Sequence, residues 1–312
     1  MAVFLGFLGV LGFSGSLPAT RLAVEHLDAT FVGVGRAVVA GVMAAVLLAL
    51  SRQPRPTRRQ FWRLWLVVAG VVFGFPLFTA LALNTLTSAH GAVIVGLLPA
   101  ATAVAAVLYR AERPSAGFWV ASGAGLVAVM VFAAIQGAGA PSAADGLVLI
   151  AVAFGALGYA EGGMLARELG GWQTICWALV IALPLTIPVT VVAGLTGDVS
   201  GGDPAAWGGF AYTCLISMFL GFFAWYAGLA RGGVAKIGQV QLAQPVLTLV
   251  WAALLLGEHV SRGMVAAALV VLACVVATQR TRVSARPETG GGGPSSGRPS
   301  RSPRATPGSD LA

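Results

Sequence analysis

The sequence predicts an all-α integral membrane protein with ten transmembrane helices arranged as two inverted five-helix repeats. Composition, the length of the apolar runs and an internal repeat support this prediction. Of the 312 residues, 57% are hydrophobic and only 10% are charged, whereas a soluble domain carries about 25% charged residues. The mean hydropathy is +0.86. This balance excludes an ordinary soluble enzyme, a disordered chain and a small secreted domain held by disulfide bonds, because the chain has too little polar surface.

The apolar runs define the individual helices. A helix that crosses a membrane needs about 20 apolar residues, and the uncharged run Leu64–Tyr109 is long enough for two, with a polar break at Asn84–Ser88. Strands of an outer-membrane barrel would alternate apolar and polar residues, which these continuous runs do not. The predicted spans cover residues 2–20, 29–50, 63–84, 88–109, 115–135, 145–166, 172–194, 206–229, 234–256 and 262–279.

The basic residues predict the orientation, since Lys and Arg concentrate in cytoplasmic loops. With a cytoplasmic N-terminus, the outer loops hold only Arg21 and Arg262. We therefore expect a multi-pass protein of the inner or plasma membrane with both termini cytoplasmic. The net charge of +8 then follows from topology, and no nucleic-acid partner is expected. The inner loops would hold Arg52, Arg55, Arg58, Arg59, Arg63, Arg110, Arg113, Arg167, Arg231, Lys236, Arg280 and Arg282.

The two halves align at a constant spacing of 146 residues, as Gly9 and Gly155 illustrate. Pro99 and Glu112 of the first half match Pro245 and Glu258 of the second. Five spans in each half mean that the second copy enters the membrane from the opposite side. Inverted repeats of this kind are typical of secondary transporters, in which the halves exchange conformations.

These features define three segments. Residues 1–139 form the first five-helix repeat, and residues 140–283 form the second, inverted one. Residues 284–312 are rich in Pro, Gly, Ser and Arg, which predicts a disordered cytoplasmic tail.

The two copies also resemble a known family. The segments LLPAATAVAAVLYRAERPS and LAQPVLTLVWAALLLGEHVS are similar to the end of the fourth span in EamA-type members of the drug/metabolite transporter superfamily. The resemblance covers roughly residues 1–280, and the first copy departs from it with Ala111-Glu112 in place of Gly257-Glu258. It implies a membrane carrier, often an exporter of amino acids, related metabolites or drugs. It carries over no catalytic residue.

Paired prolines interrupt the matching fourth and ninth spans. Pro99 and Pro245 each remove a backbone hydrogen bond, and paired interruptions in two halves indicate a transport site. We interpret them as hinges that line the pathway, with simple packing kinks as the alternative. Glu112 and Glu258, at the helix ends, are expected to be solvated or to cap the helix that follows.

Two charged residues lie inside spans. Glu161 is the acid that lies clearly within the membrane, and an intramembrane carboxylate often carries protons. It is therefore the candidate for proton coupling, unless it reaches outward from the cytoplasmic end of its helix. Arg36 could bind a substrate carboxylate, or its long side chain could reach the membrane interface. Both are candidate pathway residues, and their depths predict no direct ion pair between them.

Polar and aromatic residues complete the predicted pathway. Gln241, Gln244 and Thr248 share one face of the ninth helix beside the proline and could line a cavity or join helices. Trp225 and Tyr226 lie deep in the eighth span, where they could stack on a substrate or fill space. The substrate is expected near the middle of the membrane, between the first, third, fourth, sixth, eighth and ninth helices.

The predicted function is secondary active transport by alternating access. The expected cargo is a small polar or amphipathic metabolite, such as an amino acid or related compound. The expected direction is export, and proton coupling is left open. The alternatives are efflux of multiple drugs or cationic compounds and, ranked lower, a membrane-embedded enzyme. We expect no enzymatic activity, no catalytic or metal site and no cofactor. The expected partners are a small-molecule substrate and the lipid bilayer, and a homodimer is left open.

Overall fold

The computed structural model of the chain describes residues 1–110, 113–136, 142–199, 201, 203–232, 237–280 and 283–284. These residues form helices, apart from two short antiparallel strands, Arg113–Pro114 and Val283–Ser284. We number the helices α1 (Ala2–Val24), α2 (Ala29–Leu50), α3 (Arg58–Leu83), α4 (Ser88–Val95 and Leu98–Arg110), α5 (Ala116–Gln136), α6 (Ala143–Leu169), α7 (Gly171–Thr196), α8 (Pro204–Gly232), α9 (Gly238–Leu242 and Ala243–Leu256) and α10 (Arg262–Arg280).

The all-helical prediction is confirmed, and a helix occupies each range that the sequence predicted as a span. Seven helices among the described residues are long and apolar enough to cross a membrane, namely α1 to α4 and α6 to α8. The apolar parts of α5, α9 and α10 are shorter, so ten membrane crossings remain a prediction. Glu112, Lys236 and residues 285–312 lie outside the described residues.

Polar side chains start the helices where the sequence changes from loop to apolar run. The Asp28 carboxylate accepts a hydrogen bond from the backbone N–H of Phe31 at 2.8 Å, at the start of α2. Ser142 and Asp145 cap α6 reciprocally. Such caps supply acceptors for N–H groups that have no partner inside the helix.

Successive helices run in opposite directions, so the bundle has two ends. We call the end that carries Met1 the proximal end and the other the distal end. A hydrogen bond between the Gln53 and Gln173 side chains joins two helix ends at the proximal end. At the distal end, the Asp28 backbone N–H donates to the Asp198 carbonyl at 2.9 Å.

Two helices contain wide π-helical turns. They span Val68–Gly74 in α3 and Thr213–Leu220 in α8. The 146-residue spacing places Val68 on Cys214, so the two turns fall at matching positions of the two halves. Such turns are rare and occur often at functional sites, and the sequence analysis did not predict them.

Helix pairing follows a regular pattern across the two halves. Helix α1 packs on α8 and α3 packs on α6, while α2 packs on α7, α4 on α9 and α5 on α10. If each helix is replaced by its counterpart in the other half, which is five helices away in the chain, the pair α1·α8 becomes α6·α3. The pairs α2·α7, α4·α9 and α5·α10 each map onto themselves.

Glycines allow a close approach of the helices in two of these pairs. A Cβ atom on Gly158 of α6 would lie 2.9 Å from the backbone nitrogen of Val71 in α3. A Cβ atom on Gly9 of α1 would lie 2.9 Å from the backbone nitrogen of Trp225 in α8. Because these neighbours are backbone atoms, the helices themselves would have to separate if either glycine gained a side chain.

We therefore expect Gly158→Ala to destabilise the protein. Forcing a methyl group into a packed interface costs about 1–3 kcal/mol, which should lower the thermal unfolding temperature of the purified protein in detergent. Gly146→Ala is the matched control in the same helix, since a Cβ there meets nothing within 4 Å. Equal unfolding temperatures for both variants would show that this close approach does not limit stability.

Candidate functional site

A small cavity lies near the middle of the bundle, between α1, α2, α3, α6, α8 and α9. It encloses about 20 Å³, which is room for about one water molecule. Five of these helices were predicted to surround the substrate. The sixth, α2, contributes Arg36, whereas the predicted α4 contributes none of the described lining residues.

Arg36 supplies the positive charge of the cavity wall. Its side chain is buried, with 3% of the residue exposed. The Nε atom has no hydrogen-bond partner among the described residues. The side chain therefore lies in the wall and does not extend to the surface of the bundle. It can form charge-assisted hydrogen bonds with an anion that enters the cavity.

Aromatic rings form much of the remaining wall. Phe13 of α1, Phe75 of α3, Tyr159 of α6 and Phe222 of α8 line the cavity. The ring centroids of Phe13 and Phe222 are 4.8 Å apart, and those of Phe13 and Tyr159 are 6.2 Å apart. These residues carried no motif, and the sequence analysis missed them, since a span rich in apolar residues gives no sign of which face is inward.

Trp225 and Tyr226 lie behind this wall and do not line the cavity. The Trp225 ring packs against Phe13 and Tyr159, with centroid distances of 6.1 and 5.6 Å. The Tyr226 hydroxyl donates a hydrogen bond to the Gly158 carbonyl at 3.2 Å. Both residues thus fill space and join helices in this conformation, which is the packing alternative of the sequence analysis.

The polar stripe of α9 divides between cavity and helix contacts. Gln244 lines the cavity, and the Gln241 amide donates to its Oε1 atom over a long 3.5 Å. The Thr248 hydroxyl donates to the Ser14 carbonyl of α1 at 2.8 Å. Only the middle residue of the predicted stripe therefore reaches the cavity.

Two serines missed by the sequence analysis join the halves at the cavity. The hydroxyls of Ser16 in α1 and Ser217 in α8 are 2.6 Å apart and form a hydrogen bond. Both residues line the cavity. The only sequence signal is that each is a hydroxyl inside an apolar span, and serines of this kind are common between packed helices.

Both prolines follow an interruption of their helix. Helix α4 breaks after Val95 and resumes at Leu98, one residue before Pro99. Helix α9 changes from a 3-10 to an α-helical conformation at Ala243, two residues before Pro245. Proline fits the first turn of a helix because its missing N–H would have no partner there. The hinge role remains a prediction, now located at these interruptions.

Glu161 lies away from the cavity, at the proximal end. Its carboxylate pairs with Arg63 of α3. The same arginine pairs with Glu168, which lies nearer the C-terminal end of α6. The Glu161 side chain is 3% exposed and that of Glu168 is 44% exposed. As the sequence analysis expected, no ion pair joins Glu161 to Arg36 in the described structure. Arg63 was not predicted as the partner of Glu161, because it belongs to a cluster of basic residues that was used to predict the orientation of the chain in the membrane.

A second set of polar contacts lies at the distal end. The Glu258 carboxylate accepts hydrogen bonds from the backbone N–H groups of Ser88 and Ala89, each at 2.8 Å. Glu258 thus caps α4 of the other half, whereas the sequence analysis expected it to be solvated or to cap the helix that follows. Nearby, His90 Nε2 lies 2.7 Å from Asp145 Oδ1. Both contacts join the first half of the chain to the second.

Comparison with known proteins identifies relatives across nearly the whole chain. The family described as "EamA-like transporter family" matches residues 1–134 and 142–279. The "Uncharacterized transporter YdeK" of Bacillus subtilis (strain 168) is 49% identical over 275 residues, which cover 88% of this chain and 96% of that protein. The "Uncharacterized protein PA1977" of Pseudomonas aeruginosa is 29% identical over 284 residues, 86% of this chain and 91% of that protein.

A solved crystal structure shares the fold. It superposes with a TM-score of 0.62 at 15% sequence identity, and the match covers 88% of this chain and 95% of that one. At this low identity, the likeness concerns the arrangement of the helices and extends no further.

At the proximal end, two carboxylates share one arginine but differ in burial, so their contributions to the stability of the protein can be compared. Arg63→Ala should destabilise the protein by about 3–5 kcal/mol, because it leaves the buried Glu161 without its partner. Glu168→Gln should cost less than about 1 kcal/mol, because that pair is exposed. Thermal unfolding in detergent measures both effects.

A double variant separates the pair from other effects of the arginine. Adding Glu161→Gln to Arg63→Ala should restore part of the lost stability, since it removes the unpaired charge. If Arg63→Ala is no more harmful than Glu168→Gln, the buried pair does not stabilise this conformation.

Proposed function

Since the chain belongs to the EamA-like transporter family, we propose that it is a secondary active carrier that works by alternating access. The protein is a multi-pass membrane transporter. The proposed cargo is a small polar or amphipathic metabolite, such as an amino acid or related compound, and the proposed direction is export. The observation that carries this proposal is the cavity between the two halves, whose wall holds a buried arginine with no hydrogen-bond partner for its Nε atom among the described residues.

Alternating access is supported by contacts that close both ends around the cavity. At the distal end, Glu258 holds the start of α4, and His90 pairs with Asp145. At the proximal end, Arg63 holds Glu161. Each contact joins residues of the first half to residues of the second. A movement of one half against the other can therefore break the contacts at one end while those at the other end persist.

The inverted repeat is supported by the matching π-helical turns of α3 and α8 and by the equivalent pairs α1·α8 and α6·α3. The two family matches are also of similar length. We accordingly propose two five-helix repeats, residues 1–139 and 140–283, that cross the inner or plasma membrane ten times. Both termini would be cytoplasmic, which makes the proximal end the cytoplasmic one.

Proton coupling would act through Glu161. A proton on this carboxylate would remove the buried charge that holds Arg63 and would weaken the contact between α3 and α6 at the proximal end, leaving Arg63 its exposed pair with Glu168. Loading of the proton and opening of that end would then be linked, which is the requirement for coupled transport. The neighbouring Glu168 would not serve, since it is largely exposed and its charge stays in contact with solvent.

The proposal predicts substrate-dependent proton movement in inside-out vesicles that hold a pH gradient, followed with a fluorescent proton probe. A panel of amino acids, organic acids, amines and cationic drugs is added to vesicles with the native chain, Glu161→Gln or Glu168→Gln. We expect collapse of the gradient by specific compounds with the native chain and with Glu168→Gln. Glu161→Gln should abolish it, because an amide cannot carry the proton.

Radiolabel exchange tests the carrier separately from its coupling. A compound identified in the panel should show saturable uptake and counter-exchange across the vesicle membrane in native protein and in Glu161→Gln. If collapse of the pH gradient persists in Glu161→Gln, Glu161 is not the residue that carries the proton, and the proposed transport function is unaffected. Transport without saturation or counter-exchange would contradict alternating access and indicate a channel.

A further inference from the structure

The charges around the cavity identify the chemical class of the cargo. We propose that the transported compound is an amphipathic monocarboxylate, whose carboxylate binds Arg36 and whose apolar body contacts the aromatic wall. This inference rests on the proposed carrier function and narrows its cargo to those related compounds that carry a carboxylate without an ammonium group, in place of the amino acid itself. A zwitterionic amino acid and a cationic drug would both bind this cavity less well.

The first step is that Arg36 has no counter-charge in the part of the chain that the structure describes. None of the cavity-lining residues is acidic. Seven of the described acids elsewhere on the bundle have contacts of their own: Glu25 pairs with Arg21, Glu161 and Glu168 pair with Arg63, Asp145 contacts His90, and Asp28, Asp203 and Glu258 cap helices.

The second step is the energetic cost of this arrangement. A charge buried away from water without a partner is strongly unfavourable, and within a membrane protein such a residue usually has a function. A guanidinium forms paired, charge-assisted hydrogen bonds with a planar carboxylate. A bound carboxylate would therefore neutralise Arg36 and occupy its unpaired Nε atom.

The third step concerns the rest of the wall. Phe13, Phe75, Tyr159 and Phe222 offer rings for an apolar, preferably aromatic body. Aromatic rings can also attract cations. A second positive charge, however, would enter beside the uncompensated Arg36 and be repelled by it. An ammonium group would in addition find no carboxylate among the lining residues.

The remaining polar groups suit an anion or a neutral oxygen. Gln244 can donate through its amide nitrogen, and the hydroxyls of Ser16 and Ser217 already bind each other. The cavity holds about 20 Å³, room for about one water molecule, so a larger cargo fits only when the helices separate. Arg36 is then the charged residue of the cavity wall that an entering carboxylate meets.

Binding of four matched compounds to the purified full chain tests the inference. They are 3-phenylpropionate, its neutral amide, 3-phenylpropylamine and L-phenylalanine, which share a phenyl ring on a short chain and differ in charge. Binding is measured as the concentration-dependent rise in thermal unfolding temperature. We expect the carboxylate to bind the native protein most tightly.

Variants at Arg36 separate recognition from folding. Arg36→Gln should weaken binding of the carboxylate about 10- to 100-fold, as expected for the loss of charge-assisted hydrogen bonds, and leave binding of the amide unchanged. Arg36→Lys should retain part of the affinity, because it keeps the charge without the planar fork. Arg262→Gln, at an exposed position on α10, is the control and should bind like the native protein.

Ligand-free stability provides a second readout. If Arg36 serves binding, Arg36→Gln should unfold at the same temperature as the native protein or higher, because it removes a buried unpaired charge. A marked fall would assign Arg36 a structural role and overturn the inference. It is also overturned if no carboxylate-specific binding occurs, if the amine or zwitterion binds as tightly, or if Arg36→Gln weakens all compounds equally. The radiolabel exchange assay uses any compound that the panel identifies and does not depend on selectivity for a carboxylate, so the carrier function stands or falls separately.

Discussion

The structure depends on one constraint: inside a membrane, polar groups must find their partners within the protein, because no water is available to them. Threonine hydroxyls follow it by bonding to carbonyls of their own helix, as Thr102 does to Leu98 and Thr186 to Ala182. Buried charges follow it by pairing, as Glu161 does with Arg63. Four buried side-chain atoms of the described residues have no hydrogen-bond partner, and the Nε of Arg36 is the one among them that belongs to a charged group. A substrate that binds and leaves would be a physical reason for it.

The same constraint bears on the proposed movement of this tightly packed bundle. Glycines bring α1 against α8 and α3 against α6 at backbone distance. The contacts that close the two ends are few, polar and located near the helix ends. Such contacts can exchange their partners for water when an end opens, whereas a large apolar interface could not separate without a much greater cost.

The two halves match in some of their helical elements but differ in the charged residues of the candidate sites. The 146-residue spacing aligns Arg63 with Gly209, Glu161 with Gly15, and Arg36 with Ala182. The packing elements, by contrast, recur in both halves, as the π-helical turns illustrate. These three charged groups therefore occur once, at one end or in the middle of the bundle, so the candidate binding site and the candidate coupling site have no counterpart in the other half.

The sequence by itself determined the all-helical membrane class, the helix positions, the repeat spacing and the residues whose charge or polarity is out of place in an apolar span. These follow from local rules, because hydropathy and chain breaks act over neighbouring residues. Only the tertiary structure decided which face of each helix is inward. It joined Glu161 to Arg63, turned Glu258 onto α4, placed Trp225 and Tyr226 behind the cavity wall and left Arg36 in it. These outcomes depend on contacts between residues far apart in the chain, which uniformly apolar helices do not encode in their periodicity.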